Sequence, residues 1–419
     1  LSDPPHVVTL TQREDAIIDS VVQHVFARAV PGRSKLPFDR KSTRMMAETL
    51  LKAMEDGYGS ALSDLTPGTP DYNMMQALGR NIYVFSAAKN WQMCREVTRN
   101  LVEDGQVVSF GKFRQKSAET LKQWVGPWLQ AEYSHALAAS QMASNWVALE
   151  NSPATKLRYL TVNDRRVRPS HAKLHNICLP KDDAFWNTWY PPNGWLCRCN
   201  VISDSSGKLT DKSKIEYPDT KEAPEAFRFN PGKKKVIFPP DHPYYNATSK
   251  ADLVKAIADM PREYQFDRIY SNENGGYLDK HILYKQGDDT YLPELAKWIA
   301  QEGKAVELLP EIHFSEKEVR EKVFPGYKHP TKNPDMRIDG KYYDAKKADP
   351  TDVDEGIFDN IIRKANQKDV HGVVIMEHHN MPMDFLKRRS NARLAKPEIT
   401  LQEILFYRDR KLLYKAKKE

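Results

Sequence analysis

Cysteine is scarce, with 4 residues in a chain of 419, so a fold built on a disulfide framework is excluded. No uninterrupted apolar run approaches the roughly 18 residues of a membrane span, which excludes an integral membrane protein. The opening residues Leu1-Ser2-Asp3-Pro4-Pro5 have neither a basic nor an apolar stretch, so no signal peptide is expected, and the missing initiator Met points to a processed or trimmed chain. Neither charge dominates: 63 Lys and Arg stand against 56 Asp and Glu, a net +7. Such a mild excess permits a polyanionic partner without requiring one. What is present is 40% hydrophobic and 28% charged residues, the balance of a globular protein, over a length of about two to four domains.

The pattern along the chain changes three times. Residues 1–154 read as mostly helical: Leu78, Ile82 and Phe85 recur at helical spacing, as do Leu129, Tyr133, Leu137, Ser140 and Val147, with Pro127 suited to a helix start. Residues 155–202 form a small block holding Cys178, Cys197 and Cys199. Proline then accumulates, and 203–289, with Pro218, Pro224, Pro231, Pro239, Pro240, Pro243 and the run Lys233-Lys234-Lys235, reads as an extended connector. From 290 to 419 helix and strand alternate in an α+β domain. A helix at 291–302 leads to a strand at 305–309, and a hairpin of 336–338 with 341–346 turns at Asp339-Gly340. A helix at 354–367 places Ile357, Ile361, Ile362 and Ala365 inward, then a buried strand at 372–376 and a hairpin of 404–407 with 412–414 close the domain.

The first chemical constellation is His171, His175 and Cys178 followed by Cys197-Arg198-Cys199. The two histidines are four apart and share a face if that piece is helical. Five N/S candidates for a four-ligand site suggest structural Zn²⁺. Two alternatives stand beside it: a polar or core cluster without metal, and a catalytic metal. The residues around it, Leu157–Asp164, Arg168-Pro169-Ser170-His171 and Phe185-Trp186 through Tyr190-Pro191-Pro192-Asn193-Gly194-Trp195-Leu196-Cys197-Arg198-Cys199, resemble the Mu-type phage head-morphogenesis proteins. Upstream, Phe110–Arg114 and Trp128–Tyr133 fit the same resemblance, which covers roughly 75–205. It implies a minor capsid protein inside the virion, associated with portal, capsid proteins and packaged DNA, and present in the host cytoplasm on synthesis or after ejection. Cys178 lies outside the family block, so the ligand set the resemblance favours is His171, Cys197 and Cys199.

The second constellation is Asn333-Pro334-Asp335, the Asp339-Gly340 turn, then Asp344-Ala345-Lys346. Counting outward from a two-residue turn sets Asp335 opposite Asp344, where Cβ atoms stand about 4.5–5.5 Å apart and like charges repel. A bound cation or the ammonium of Lys346, on the same strand face, must offset that repulsion. Two carboxylates and a lysine can hold a divalent ion and stabilise a pentavalent phosphate; a solvated acidic turn is the alternative. Pro-Asp, a hairpin and Asp-x-Lys also resemble the PD-(D/E)xK nucleases. More narrowly, 300–419 resembles the nuclease toxin domains of contact-dependent inhibition proteins and other polymorphic toxins, with Val306–Pro310 and Ala365-Asn366-Gln367 as further matches.

The resemblance implies a nuclease, a ribonuclease acting on tRNA in the first place or an Mg²⁺-dependent DNase in the second, and a cognate immunity protein. Asp335 and Asp344 would bind Mg²⁺, Lys346 would polarise water, Glu307 would add an acidic ligand, and Gln367 would position water or substrate. For a metal-free ribonuclease, His371, His378 or His379 would serve as acid or base. Lys387, Arg388, Arg389 and Arg393 form a basic run without an intervening acid, either a solvated helix face or a backbone-binding surface for nucleic acid. The whole reads as a phage head protein carrying a C-terminal nuclease, against the alternative of a non-enzymatic head protein whose last domain only binds nucleic acid or a capsid partner.

Overall fold

The computed structural model describes residues 11–28, 37–205, 207–219, 224–287, 290–348, 355–377 and 381–419. They fall into two compact units divided between Met260 and Pro261.

The first unit opens with α1 (Thr11–Arg28), α2 (Arg40–Tyr58) and the long α3 (Pro70–Thr98). Asp39 starts α2 by accepting from the backbone N–H groups of Lys41 and Ser42, and Gly59 ends it at φ 86°. A short ribbon of β1 (Val102–Glu103) and β2 (Gln106–Val107) leads to α4 (Phe110–Val125) and α5 (Pro127–Glu150). Leu78, Ile82, Phe85, Leu129, Ser140 and Val147 are buried, as their spacing leads one to expect. A Cβ on Gly57 would sit 2.1 Å from the Leu137 carbonyl oxygen, so the approach of α2 to α5 requires glycine there. Between α3 and α5 lies a buried ion pair, Lys89 to Glu132 at 2.6 Å, with the Tyr244 hydroxyl donating to the second carboxylate oxygen at 3.1 Å. Burial pushes the Lys89 ammonium down and the Glu132 carboxyl up, and each offsets that cost for the other.

After α5 come β3 (Lys156–Leu160), α6 (Pro169–Ala172), β4 (Cys178–Pro180), α7 (Phe185–Thr188) and β5 (Asn200–Ser203). The strands form an antiparallel sheet in the order β4-β3-β5. The expected connector at 203–289 is corrected at both ends. Residues up to 260, with α8 (Pro231–Lys234) and α9 (Lys250–Ala258), pack on the first unit. Phe238 stacks on Phe85 at 3.6 Å, and the Asn81 side-chain amide bonds the backbone of Ile237 and Phe238. Proline suits this strap because its own side chains and backbone find partners on the helices.

The second unit begins at Pro261 rather than at 290, where its helix–strand alternation places it, with α10 (Arg262–Gln265), β6 (Phe266–Ser271) and β7 (Tyr277–His281). It continues through α11 (Leu292–Gln301), β8 (Ala305–Leu308), α12 (Lys317–Val323), β9 (Met336–Ile338) and β10 (Lys341–Ala348). Then follow α13 (Glu355–Asn366), β11 (Gly372–Glu377), α14 (Met383–Leu394), β12 (Glu403–Arg408) and β13 (Lys411–Lys417). The eight strands run in the order β13-β12-β11-β10-β9-β8-β7-β6, with β7–β8, β10–β11 and β11–β12 parallel and the other pairs antiparallel. Val306, Leu308, Met336, Ile338, Tyr343 and Ala345 face α11. Val373, Ile375, Ile404 and Phe406 face the opposite way, against α13 and α14. On that second face, the register continues into Asp344, Arg337, Glu307 and Asp279, so aliphatic burial gives way to charge across β10–β7. Among the described residues, no helix is long and apolar enough to cross a membrane.

Candidate functional site

The hairpin in the second unit turns where the sequence places it. Asp339 and Gly340 adopt φ of 46° and 81°, Lys341 pairs with Ile338, and Tyr343 pairs with Met336. Asp335 and Asp344 are therefore the next opposed pair, and they lie in contact, with the Asp335 carboxylate also accepting from the Ala345 N–H at 2.8 Å. Two ammonium groups offset their repulsion. Lys346 reaches Asp344 Oδ2 at 2.5 Å, and Lys368 spans the pair, 2.8 Å from Asp335 Oδ1 and in contact with Asp344 Oδ1. Asp344 is fully buried, while Asp335, Lys346 and Lys368 keep 21%, 25% and 21% of their side chains exposed, so solvent reaches the cluster from one side.

These environments split the two carboxyls. Burial, then the neighbouring charge of Asp344, pushes Asp335 up to about 6. Burial also opposes the charge on Asp344, but Lys346 and Lys368 outweigh it and hold that carboxyl below its ordinary range. Despite its own burial, Lys368 is held protonated by both acids.

Lys368, and not its neighbour Gln367, completes the cluster. Gln367 is exposed at the end of α13, and the turn that ends the helix directs Lys368 onto the sheet instead. Glu307 does not join the acidic pair either. It is bound by Arg337 at 2.6 Å and by Arg262, and cross-strand pairing with Arg337 on the same sheet face explains why. His371 lies beside Tyr343 and Lys341, and His378 and His379 fall outside the described residues. The basic run is also corrected: Arg389 and Arg393 both bind Asp359, and Arg388 and Arg389 approach Glu355 at 3.7 and 3.0 Å. The neutralising acids come from α13, distant in sequence, while Lys387 is exposed.

In the first unit, His171, Cys197 and Cys199 converge. Their ligand atoms lie within 4.8 Å of one another, and His171 Nδ1 is 3.6 Å from Cys197 Sγ and 3.4 Å from Cys199 Sγ. His171 Nε2 meets the Asn193 carbonyl at 3.3 Å, and the Tyr159 hydroxyl donates to the Asn193 side chain at 3.2 Å. Gly194 brings the backbone close to this ring and to Arg168, whose guanidinium donates to the Trp195 carbonyl at 2.5 Å. The Cys199 thiol, then His171, draws Cys197 down to about 4 against the effect of burial, whereas Cys199 is pushed up because its neighbour carries the charge.

His175 and Cys178 stand apart from this cluster. The helix carrying His171 stops at Ala172, so the four-residue spacing never becomes a shared face, and His175 Nδ1 accepts from the Thr161 N–H at 3.1 Å. Cys178 pairs with Arg158 across the sheet, on the face opposite Tyr159, and its sulfur lies 4.0 Å from Asp204. Beside the cluster is a cavity of about 660 Å³ lined by Cys197, Cys199, Arg166, Arg168, Arg198 and Gln141 among others.

Comparison with known proteins bears on this part of the chain. Residues 99–202 match the family described as Phage Mu protein F like protein. The "Putative capsid assembly protein F" of Escherichia phage Mu is 50% identical over 54 residues, 13% of this chain and 12% of that protein. The "Mu-like prophage FluMu F protein" of Haemophilus influenzae (strain ATCC 51907 / DSM 11121 / KW20 / Rd) is 54% identical over 44 residues, 10% and 11% of the two chains. The matched stretch thus spans about one eighth of the length of the curated relatives. No solved structure matches. The resemblance to the Phage Mu F-like family thus rests on the segment 99–202, which carries α4, α5 and the sheet with its His171–Cys197–Cys199 cluster.

Proposed function

We propose that the chain is a phage head protein that joins a capsid-assembly segment to a phosphodiesterase unit acting on nucleic acid. The match of 99–202 supports the first half, with other head proteins, the portal among them, as partners, and the virion and the host cytoplasm as its locations. One observation carries the second half: Asp335 and Asp344 are held face to face with Lys346 and Lys368 on them, reachable from solvent on one side.

Opposed carboxylate oxygens fit a hard divalent cation such as Mg²⁺, which would supply charge to polarise a water and a phosphate. Asp335 and Asp344 would hold it. Lys346, anchored on Asp344, is placed to stabilise negative charge developing on phosphate, and Lys368 would move from the acids to the phosphate as the cation binds. tRNA is the first substrate, as the toxin resemblance implies, with an immunity protein covering the unit in the producing cell.

The test incubates the full chain with total tRNA and with plasmid DNA, each with Mg²⁺ or EDTA. Cleavage of either polymer that stops with EDTA and with Asp344→Asn supports the reading and identifies the substrate class. Cleavage that persists in EDTA moves the chemistry to the lysines. No cleavage, with nucleic-acid binding unchanged or tighter in Asp344→Asn, supports a binding unit in which the lysines serve only to neutralise the acids.

A further inference from the structure

We propose that His171, Cys197 and Cys199 hold a zinc ion through three protein ligands, with its fourth position turned to the neighbouring cavity and filled by water. The inference does not depend on the phosphodiesterase reading, because it concerns only the first unit.

The arrangement of the imidazole carries the argument. A backbone carbonyl can only accept, so the 3.3 Å contact with Asn193 O assigns the proton to His171 Nε2. Nδ1 is then the ring atom that faces the two sulfurs, 3.6 and 3.4 Å away. This is the familiar second-layer device that fixes the tautomer of a metal-binding histidine. A lone pair and two sulfurs converging in a mostly buried space are joined either by a thiol proton or by a bound cation, and only a cation engages all three at once.

The guanidinium groups lining the cavity are directed at other partners. Arg168 is bound to the Trp195 carbonyl, Arg198 pairs with Asp164 at 2.8 Å, and Arg166 approaches the same acid at 3.7 Å. One imidazole nitrogen and two thiolates are a soft to borderline donor set that suits Zn²⁺ and disfavours Mg²⁺ or Ca²⁺. Among the described residues, no fourth His, Cys, Asp or Glu closes the group, while Cys197 and Cys199 both line the cavity. Three protein ligands with an open position is the pattern of an exchangeable zinc site rather than a closed structural one. The ion would tie α6 to the segment entering β5, two pieces that otherwise meet through hydrogen bonds.

The test uses the purified full chain, loaded with Zn²⁺ or Co²⁺ alone and dialysed. Expected are one metal per chain, a thiolate-to-cobalt charge-transfer band, d–d bands of tetrahedral intensity, and a shift of those bands on adding azide. Cys197→Ser and Cys199→Ser lose the metal, whereas Cys178→Ser and His175→Ala keep it. Because the serine variants can also misfold, His171→Cys provides the complementary check: it keeps the metal with a stronger charge-transfer band. The proposal is overturned by a chain that binds no stoichiometric metal while all four thiols titrate freely, by metal retained in the Cys197→Ser/Cys199→Ser double variant, or by metal lost in Cys178→Ser. A cobalt spectrum that azide leaves unchanged overturns the open position.

Discussion

The two units solve the same electrostatic problem in opposite ways. In the second unit, Asp335 and Asp344 are forced together by a hairpin register, and the chain supplies Lys346 and Lys368 to neutralise them. In the first unit, Cys197, Cys199 and the Nδ1 lone pair of His171 also converge, yet the nearby arginines are engaged by Asp164 and the Trp195 carbonyl. A site that carries its own counter-charge can fold without a cation and exchange a lysine for one later. A site without counter-charge needs a proton or a metal from the start. Stabilisation by added metal should therefore be larger at the thiol cluster than at the acidic pair.

The largest effect should come from Asp344→Asn, which keeps the shape but removes the charge. Cleavage should fall about a hundredfold or more while far-UV circular dichroism is unchanged and the melting temperature falls only modestly, Lys368 keeping Asp335 as a partner. A variant that cleaves at the wild-type rate would remove Asp344 from the chemistry. Lys368→Met comes next and makes the acidic pair resemble the thiol cluster by leaving it short of positive charge. Part of the lysine is in water, so the expected loss is about 1–3 kcal/mol, seen in denaturant unfolding. Mg²⁺ should restore the lost stability in this variant and stabilise the wild type less. If Mg²⁺ stabilises both equally, Lys368 does not occupy the cation's place.

How much of this was legible depended on how local the determinant is. The Asp335–Asp344 opposition follows from a two-residue turn and the period of a strand, both readable within ten residues. Lys368 was not legible, because its position depends on where α13 ends relative to β10, and only tertiary packing sets that. The pairing of His171 with His175 failed for the converse reason: the spacing is helical but the helix is one turn long. Residues 224–260 misled because proline content reports extended backbone and says nothing about what the backbone lies against. The strap is interrupted by α8, α9 and short helical turns, and Phe238, Asn81 and Tyr244 fasten it to the helices.

Acidification gives a third and smaller separation of the units. His135 is buried in the first unit, with Nε2 against the Ile237 carbonyl at 3.1 Å, and burial pushes its pKa down to about 4. The unfolded chain takes up that proton near the ordinary pKa of about 6.5, so the unfolded state binds more protons between these limits and folding loses stability as pH falls. The full difference is about 3 kcal/mol for this one group. Asp335 acts in the opposite direction, since a carboxyl raised to about 6 favours the folded state as it becomes protonated. Between pH 7 and 4 the melting temperature should therefore fall less steeply in His135→Phe than in the wild type, and more steeply in Asp335→Asn, in calorimetric scans. Equal slopes in the wild type and His135→Phe would mean that His135 titrates normally in the fold.

The smallest effect concerns the α14 arginines, where counter-charge again decides the outcome. Each phosphate contact made by a free cation contributes about 0.7–0.9 to the slope of log K against log salt. Arg389 and Arg393 already share Asp359, so binding phosphate would require them to leave a partly buried carboxylate that would then stand uncompensated. Lys387 is exposed and has no such cost. Lys387→Ala should therefore lower the salt slope of nucleic-acid binding by most of one contact, and Arg389→Ala or Arg393→Ala by much less. Equal decreases in all three would show that Asp359 gives up its arginines on binding, and the acidic pair and the thiol cluster would no longer be the right two extremes to compare.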